Sequence, residues 1–273
     1  MAILNRYLTV GHRIGPVAAA ILLAFTAGTA RASSCEGLRD LKLKDTTIAS
    51  AQPVAAGKFV PPGQQESPAF RNVPAFCRVT AEIKPSADSD IKIEVWMPLT
   101  GWNGRYQGQG NGGFAGSITY LGLAGGVSRG FASASTDTGH TGFPTDATWS
   151  LGHQEKIIDF GYRAIHEMTL KAKAIIHAFY GDLPRKSYFA SCSNGGREAL
   201  MEAQRFPEDY DGIVAGAPAN DWTHLLVAGV WDLQAMHDSA SYIPASRIPA
   251  ISAAVLAACD AQDGVSDGIV NDP

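Results

Sequence analysis

The amino-acid sequence predicts an α/β fold, in which a mostly parallel sheet carries helices on its faces. Of the 273 residues, 45% are hydrophobic and 18% are charged. This composition supplies enough apolar material for a large core and differs from that of a disordered chain. Strand-like and helix-like patterns alternate from about residue 90 to residue 218, which is typical of a parallel sheet with covering helices. The net charge of −4 excludes a strongly basic, nucleic-acid-binding protein.

The first 32 residues have the pattern of a cleaved secretory signal peptide. Arg6 and Arg13 form a basic start, residues 14–25 are mostly apolar, and Ala30 and Ala32 form a small-x-small cleavage site. The apolar run is shorter than the roughly 20 residues that a permanent transmembrane helix needs. An N-terminal membrane anchor is the alternative. The sequence predicts a secreted or periplasmic protein without stable membrane association after cleavage, in a compartment where disulfides persist.

The elements of the mature chain are predicted in order from their hydrophobic patterns. Strict alternation over residues 91–97 predicts a half-exposed strand. Apolar residues every three to four positions over residues 156–180 predict the longest helix, which Gly181 and Pro184 end. A second helix is predicted over residues 195–206. The predicted strands cover residues 76–83, 91–97, 130–136, 186–191 and 211–218.

Two stretches depart from this alternation. Residues 33–89 contain repeated prolines, which predict irregular structure without helices. After Pro218 the chain becomes rich in Trp and Ala and predicts helices followed by an acidic loop. We interpret this change as the start of an insertion.

The strongest sign of chemistry is the predicted strand-to-helix turn at residues 188–197, with sequence YFASCSNGGR. Ser193 occupies the tip, and small residues surround it. This pattern is typical of a nucleophile elbow, whose sharp turn presents a hydroxyl above the sheet and admits only small neighbours. Ser191 stands where the usual G-x-S-x-G pattern has glycine, which adds crowding. A Ser/Gly-rich turn without chemistry is the alternative.

A second candidate element is the Gly-rich loop at residues 110–113. Acyl transfer needs backbone N–H groups directed at the developing oxyanion. One such group is expected from Asn194, directly after the nucleophile, and another from Gly112 or Gly113. The same loop also matches the dinucleotide pattern G-x-G-x-x-G, but residues 117–122 are a poor helix start, so this match is weak.

The third candidate is the acidic loop at residues 260–269, with sequence DAQDGVSDGI. Its three carboxylates would repel one another without a cation, and Ca²⁺ takes six to eight oxygen ligands from such loops. The spacing differs from the EF-hand pattern. A solvated acidic turn is the alternative.

Four cysteines fit an oxidising compartment, and the absence of a C-x-x-C pair disfavours zinc. They allow three pairings, and their spacing alone does not choose between them. The cysteines are Cys35, Cys77, Cys192 and Cys259.

Several motifs together resemble the tannase/feruloyl esterase family. The resemblance covers nearly the whole mature chain in order, although Ser191 and Asn194 replace the Gly and Thr that the family usually has. The motifs are the turn around Ser193 with its Gly-Gly-Arg, STDTGH at 135–140, FGYRAIHE at 160–167, PEDYDGIVAGAP at 207–218 and the loop at 260–269.

The resemblance implies a secreted α/β-hydrolase that cleaves small-molecule esters of phenolic or other aromatic acids. After the signal peptide predicted over residues 1–32, it implies the N-terminal part of the hydrolase core over 33–218 and the start of a lid domain with a calcium loop over 219–273. Ser193 would be the nucleophile. A structural Ca²⁺ would be held by Asp260, Asp263, Asp267 and the carbonyls of Val265 and Ile269.

The resemblance also bears on the cysteines and on the rest of the triad. Cys192 and Cys259 resemble family cysteines whose partners lie downstream, so Cys35 and Cys77 are expected to pair with each other. The triad order of serine, acid and histidine leaves no suitable acid and base after Ser193, so both are expected to be absent from this chain. We therefore expect a C-terminally truncated member. A non-catalytic secreted protein that binds aromatic ligands on a hydrolase scaffold is the alternative.

Overall fold

A seven-stranded sheet with the strand order β1-β2-β3-β5-β4-β6-β7 organises the computed structural model. The structure describes residues 33–270, so the predicted signal peptide lies outside the described residues. The strands are β1 (Thr46–Val54), β2 (Phe76–Ile83), β3 (Ile91–Pro98), β4 (Arg105–Gly108), β5 (Ala132–Thr136), β6 (Lys186–Cys192) and β7 (Gly212–Gly216). The α-helices are α1 (Tyr120–Ser128), α2 (Gln154–Ile158), α3 (Ala164–Tyr180), α4 (Asn194–Arg205), α5 (Trp222–Ala235) and α6 (Ile248–Cys259).

The sheet is mixed, and its two halves are connected differently. Strands β1, β2, β3 and β5 pair antiparallel, whereas β5, β4, β6 and β7 pair parallel. The parallel strands need crossover connections, which helices α1, α3 and α4 supply. The predicted α/β class is confirmed, and the carboxyl ends of the parallel strands meet at one edge.

Each face of the sheet has its own apolar cluster. On one face, helix α3 packs Met168, Ala172 and Ile175 against the inward side chains of the central strands. On the other face, Trp96 of β3 and Phe76 of β2 pack with α1 and with the segment before β2. Burying each large apolar side chain contributes about 1.5–3 kcal/mol, so these two layers fix the strands that position the site.

Strand β3 is buried on both faces, whereas the alternation of its sequence predicts a half-exposed strand. Its polar residue Glu94 is only 5% exposed. Arg78 donates two hydrogen bonds to this carboxylate, one of them 2.9 Å long from Nε. Trp96 Nε1 and Tyr120 OH donate to it as well. The alternating pattern predicts that Glu94 is exposed to solvent. Instead its carboxylate is buried, and the ion pair with Arg78 and the further hydrogen bonds compensate for its burial.

The predicted helix at 156–180 is present but contains an irregularity. Helix α2 passes into a π-helical turn at Asp159–Arg163 and then into α3. Single π-turns are frequent at functional sites. Helix α3 ends at Gly181, whose φ of 83° is the left-handed conformation typical of a C-terminal glycine.

Helices α5 and α6 follow the parallel strands and have no buried residue. Large apolar side chains such as Trp231 and Ile248 are exposed on them. In the part of the chain that the structure describes, no helix is long and apolar enough to cross a membrane. The proposed boundary at residue 218 stays a prediction.

Candidate active site

Ser193 lies at the turn between strand β6 and helix α4, at the carboxyl edge of the parallel strands. Its backbone has φ 62° and ψ −125°, a conformation that costs a non-glycine residue about 1–3 kcal/mol. The turn is held by three backbone hydrogen bonds: Ser193 N–H donates to Gly216 O, and the N–H groups of Arg197 and Ala219 donate to Ser193 O. The side chain of Ser193 is exposed. This strained strand-to-helix geometry is that of a nucleophile elbow.

The residues around the turn explain how Ser191 fits in place of glycine. A Cβ atom on Gly195 would lie 2.0 Å from Ser191 Oγ, and one on Gly110 would lie 2.7 Å from the same atom. Both positions therefore require glycine. The Ser191 side chain fits because the two residues that face it, Gly110 and Gly195, have no side chains.

The Gly-rich loop follows β4 and packs directly against the elbow. Asn111 is buried and fixes the loop, since its Nδ2 donates to Ser117 O at 3.0 Å and to Thr136 O at 2.8 Å. Among residues 33–270, the backbone N–H groups of Gly112 and Gly113 donate no hydrogen bond. They are therefore available to an oxyanion. The dinucleotide alternative is disfavoured, because α1 begins only at Tyr120.

A buried polar network, which the sequence motifs do not predict, joins this loop to the elbow. Glu198 Oε2 accepts a hydrogen bond from Asn111 N–H at 2.9 Å, and Glu198 Oε1 accepts one from Asn194 Nδ2 at 3.0 Å. Burial raises the pKa of Glu198 to about 7, which the positive charge of Arg197 opposes. The only signal in the sequence is that Glu198 directly follows the Gly-Gly-Arg of the turn.

Arg197 connects the same helix to the π-helical turn. Its Nε donates to Asn194 Oδ1 at 2.7 Å, while its terminal nitrogens donate to the carbonyls of Phe160 and Gly161 at 2.9 and 2.8 Å. Those carbonyls lie within the π-helical turn, so Arg197 ties it to the first turn of α4. Burial lowers the pKa of Arg197.

Aromatic rings from four segments cluster beside the elbow. Phe114 follows the Gly-rich loop, Phe160 lies in the π-helical turn, and Trp222 begins α5. The ring of Trp222 lies 5.2 Å from that of Phe114 and 5.9 Å from that of Phe160. The Arg197 guanidinium lies 4.6 Å from the centre of the Phe160 ring. Trp149 adds a further ring, 5.4 Å from Phe160.

Three of the described histidines, His140, His166 and His224, have hydrogen-bond partners other than Ser193. His140 is buried, stacks on Trp149 and shares a 2.8 Å hydrogen bond with Phe114 O. His166 Nδ1 is bonded to Asp209 Oδ2 at 2.6 Å. The exposed His224 is bonded to Asp221 at 2.8 Å, which raises the pKa of His224.

Within residues 33–270, no hydrogen bond joins an imidazole to the Ser193 hydroxyl. The structure thus brings the predicted nucleophile and the oxyanion candidates together without identifying a general base. The absence of the triad acid and histidine from the chain stays a prediction.

The acidic loop follows α6 and contains the predicted oxygen ligands. Hard carboxylate and carbonyl oxygens are the donors that Ca²⁺ prefers, so the donor chemistry fits. Each carboxylate instead accepts a backbone N–H of its own loop: Asp260 from Gly268, Asp263 from Val265, and Asp267 from Ile269. No three acidic, histidine or cysteine side chains converge on a metal-sized site in the described residues. Calcium binding stays a prediction.

The cysteine pairing is confirmed. Cys35 and Cys77 form a disulfide, while Cys192, beside Ser193, is an exposed free thiol and Cys259 is a partly exposed one.

Comparison with known proteins places these features in a family context. The family model described as tannase and feruloyl esterase matches residues 77–273. An uncharacterized esterase of Xanthomonas campestris is 44% identical over 93% of the chain, and a probable feruloyl esterase B-2 of Aspergillus flavus is 36% identical over 92%. The crystal structure of feruloyl esterase B from Aspergillus oryzae superposes with a TM-score of 0.81 and 33% identity over 88% of the chain. The chain spans about half the length of these proteins, namely 44%, 49% and 48% of each.

Proposed function

The chain belongs to the tannase and feruloyl esterase family, and on that basis we propose that it serves carboxylic-ester hydrolysis through an acyl-enzyme on Ser193. The observation that carries this proposal is the strained backbone of Ser193, with φ 62°, beside a loop with free N–H groups. Such strain persists only where the surrounding structure over-determines it, and it clusters at active sites.

The proposed chemistry follows from this geometry. Ser193 Oγ attacks the ester carbonyl carbon and gives its proton to a general base. The described residues do not identify this base. The carbonyl oxygen becomes an oxyanion, which accepts hydrogen bonds from the N–H of Asn194 and of Gly112 or Gly113. Collapse of this intermediate releases the alcohol, which takes up the proton. Water then gives a proton to the same base and attacks the acyl-Ser193 carbonyl. The bond to Ser193 Oγ breaks, the carboxylic acid is released, and Ser193 Oγ takes the proton back.

Two observations support esters of phenolic or other aromatic acids as the substrate class. Relatives are named feruloyl esterase, and a solved neighbour is a tannin acyl hydrolase from Aspergillus niger, with 27% identity and a TM-score of 0.68. The rings of Phe114, Phe160 and Trp222 beside the elbow offer faces and edges against which an aromatic acyl group packs.

We also propose a secreted or periplasmic location and a structural calcium at the acidic loop. The signal-like pattern of residues 1–32 and the Cys35–Cys77 disulfide support the location, because disulfides persist in oxidising compartments. The loop's donor chemistry supports calcium. Titration calorimetry should detect binding that Asp263→Asn removes, and no heat with Ca²⁺ in the unsubstituted protein would contradict the site.

The test of the catalytic proposal is hydrolysis of a hydroxycinnamate methyl ester, with Ser193→Ala as the decisive variant. The variant should lose turnover and acyl-enzyme formation detected by mass spectrometry, since the hydroxyl is the attacking group. Ser191→Ala is the matched control, because it removes a hydroxyl two residues away on the same turn and should retain most activity. Equal turnover in Ser193→Ala and the unsubstituted protein would refute the assignment.

A non-catalytic aromatic-ligand protein is the second candidate. It is favoured by one observation, namely that no imidazole is bonded to Ser193 in the described residues. Binding of a free hydroxycinnamic acid in the micromolar range, with no ester turnover, would support it. Ester turnover that depends on Ser193 would exclude it.

A further inference from the structure

We propose that Glu198 is a positioning residue that locks the two oxyanion-donor elements to each other. The inference rests on the proposed function, in which Asn194 and Gly112 or Gly113 supply the donors. It assigns to Glu198 no contact with the substrate. Its role is to hold the Gly-rich loop at a fixed distance from the elbow.

The two hydrogen bonds of the Glu198 carboxylate carry this inference. One oxygen accepts the backbone N–H of Asn111, the residue before Gly112, and the other accepts the side-chain Nδ2 of Asn194, the residue after the nucleophile. The first bond spans 87 positions of sequence. A single carboxylate therefore contacts both elements that have to converge on one oxyanion.

The surroundings leave this carboxylate little freedom. Glu198 is 2% exposed, and a Cβ on Gly110 would lie 2.6 Å from its Oε2. The Asn194 amide is also fixed in orientation, because its Oδ1 accepts from Arg197 Nε at 2.7 Å. Its Nδ2 is consequently the group that faces Glu198.

Glu198 acts through both carboxylate oxygens, so its amide analogue replaces it only in part. A glutamine has one acceptor oxygen and can hold Asn111 or Asn194, but its Nε2 would face the N–H donor of the other. The bridge thus depends on two acceptor oxygens and not simply on a side chain of this size.

Glu202 shows that burial alone does not produce such a bridge. It lies one turn further along α4 and is fully buried, yet among the described residues neither of its carboxylate oxygens is bonded to the Gly-rich loop or to Asn194. The two glutamates share a helix and a degree of burial and differ in contact with the oxyanion elements. Glu202 therefore provides the matched control.

The first experiment measures amide hydrogen exchange in the protein, Glu198→Ala, Glu198→Gln and Glu202→Gln, after circular dichroism has shown that each is folded. Glu198→Ala should speed exchange at Asn111 at least about tenfold, because the Asn111 N–H loses its acceptor. Glu198→Gln should give a smaller change, and Glu202→Gln none there. Unchanged protection of Asn111 in Glu198→Ala would overturn the inference, whether or not the protein turns over esters. If Glu198→Ala fails to fold, the Glu198→Gln and Glu202→Gln pair decides in the same way.

The second experiment measures ester hydrolysis and separates positioning from packing. Loss of one oxyanion donor costs about 10²–10³-fold in kcat. The displaced loop in Glu198→Ala should therefore lower kcat about 10–100-fold. KM should change less than about threefold, since the donors act mainly in the transition state. A change confined to KM, or an equal loss in Glu202→Gln, would overturn the positioning role. If the unsubstituted protein shows no turnover, the proposed function fails in this chain, and the exchange experiment alone decides the role of Glu198.

Discussion

The turn that exposes the Ser193 hydroxyl holds the backbone of this residue in a strained conformation. Its φ of 62° strains any residue that has a Cβ atom, whereas glycine adopts this region freely. Ser193→Gly should therefore raise the free energy of unfolding by about 1 kcal/mol, while Ser193→Ala should leave it nearly unchanged because alanine keeps the Cβ. Urea denaturation of the three proteins measures this. A glycine variant that is less stable than the alanine variant would show that the turn is unstrained.

Asp137 is a second residue with a testable property, namely a carboxyl pKa that burial raises. It follows β5 and is 3% exposed, with Oδ1 accepting from the N–H groups of Lys92 and Gly139. Desolvation raises the pKa of this carboxyl to about 7, and the two hydrogen bonds oppose that shift. A raised pKa means that the folded state holds the proton more tightly than the unfolded state does.

The sign of the pH effect at Asp137 follows directly. Its stabilising contribution is complete below the ordinary carboxyl pKa of about 4 and is lost as pH rises to about 7. Asp137→Asn carries no charge at any pH, so it should gain about 2 kcal/mol relative to the unsubstituted protein between pH 5 and pH 8. Urea denaturation at both pH values measures the difference. A difference that is independent of pH would mean that Asp137 titrates in its ordinary range.

Among the elements, α5 and α6 differ most from the rest of the fold. Neither has a buried residue, whereas α3 and α4 each bury seven. Local opening free energies are lowest where few apolar contacts form. Amide exchange should therefore be fastest in α5 and α6 and slowest in α3, by at least about a hundredfold. Equal protection across the four helices would show that α5 and α6 are covered in solution.

Elements with a strong local pattern were predictable from the sequence. Strands β2, β5, β6 and β7, and the helical segment that runs from α2 through the π-helical turn to the end of α3, lie within a residue or two of their predicted bounds. The sequence does not predict strand β1, because the prolines around it indicate irregular structure. In the structure, Pro53 is tolerated because β1 lies at the edge of the sheet. The π-helical turn has no sequence period of its own.

The elbow was predictable for the same local reason, since strand, tip and helix are consecutive in sequence. The bridge from Glu198 to Asn111 was not, because hydrophobic periodicity does not encode a contact across 87 residues. The burial of Glu94 was missed similarly, as its partner Arg78 lies on the neighbouring strand. Local sequence patterns therefore do not predict which polar groups are buried against partners that lie far away in the sequence.

At the scale of the whole molecule, the Cys35–Cys77 disulfide fastens the N-terminal segment to the sheet. Cys77 is fully buried on β2, and Leu38 near Cys35 is fully buried in the cluster that α3 covers. The bond closes a loop across a sequence separation of 42. In the chain-entropy model such a loop contributes about 4 kcal/mol, chiefly by restricting the unfolded chain.

Removing this bond should therefore destabilise the whole fold and not only its N-terminal segment. The double variant Cys35→Ser/Cys77→Ser should lose about 4 kcal/mol in urea denaturation, with one cooperative transition because Leu38 belongs to the main core cluster. Cys192→Ser is the matched control, since that thiol is exposed and unpaired, and it should change stability by less than about 0.5 kcal/mol. An early, separate unfolding transition confined to residues 33–45 would show instead that the disulfide stabilises only a peripheral segment, and that the sheet stays folded without it.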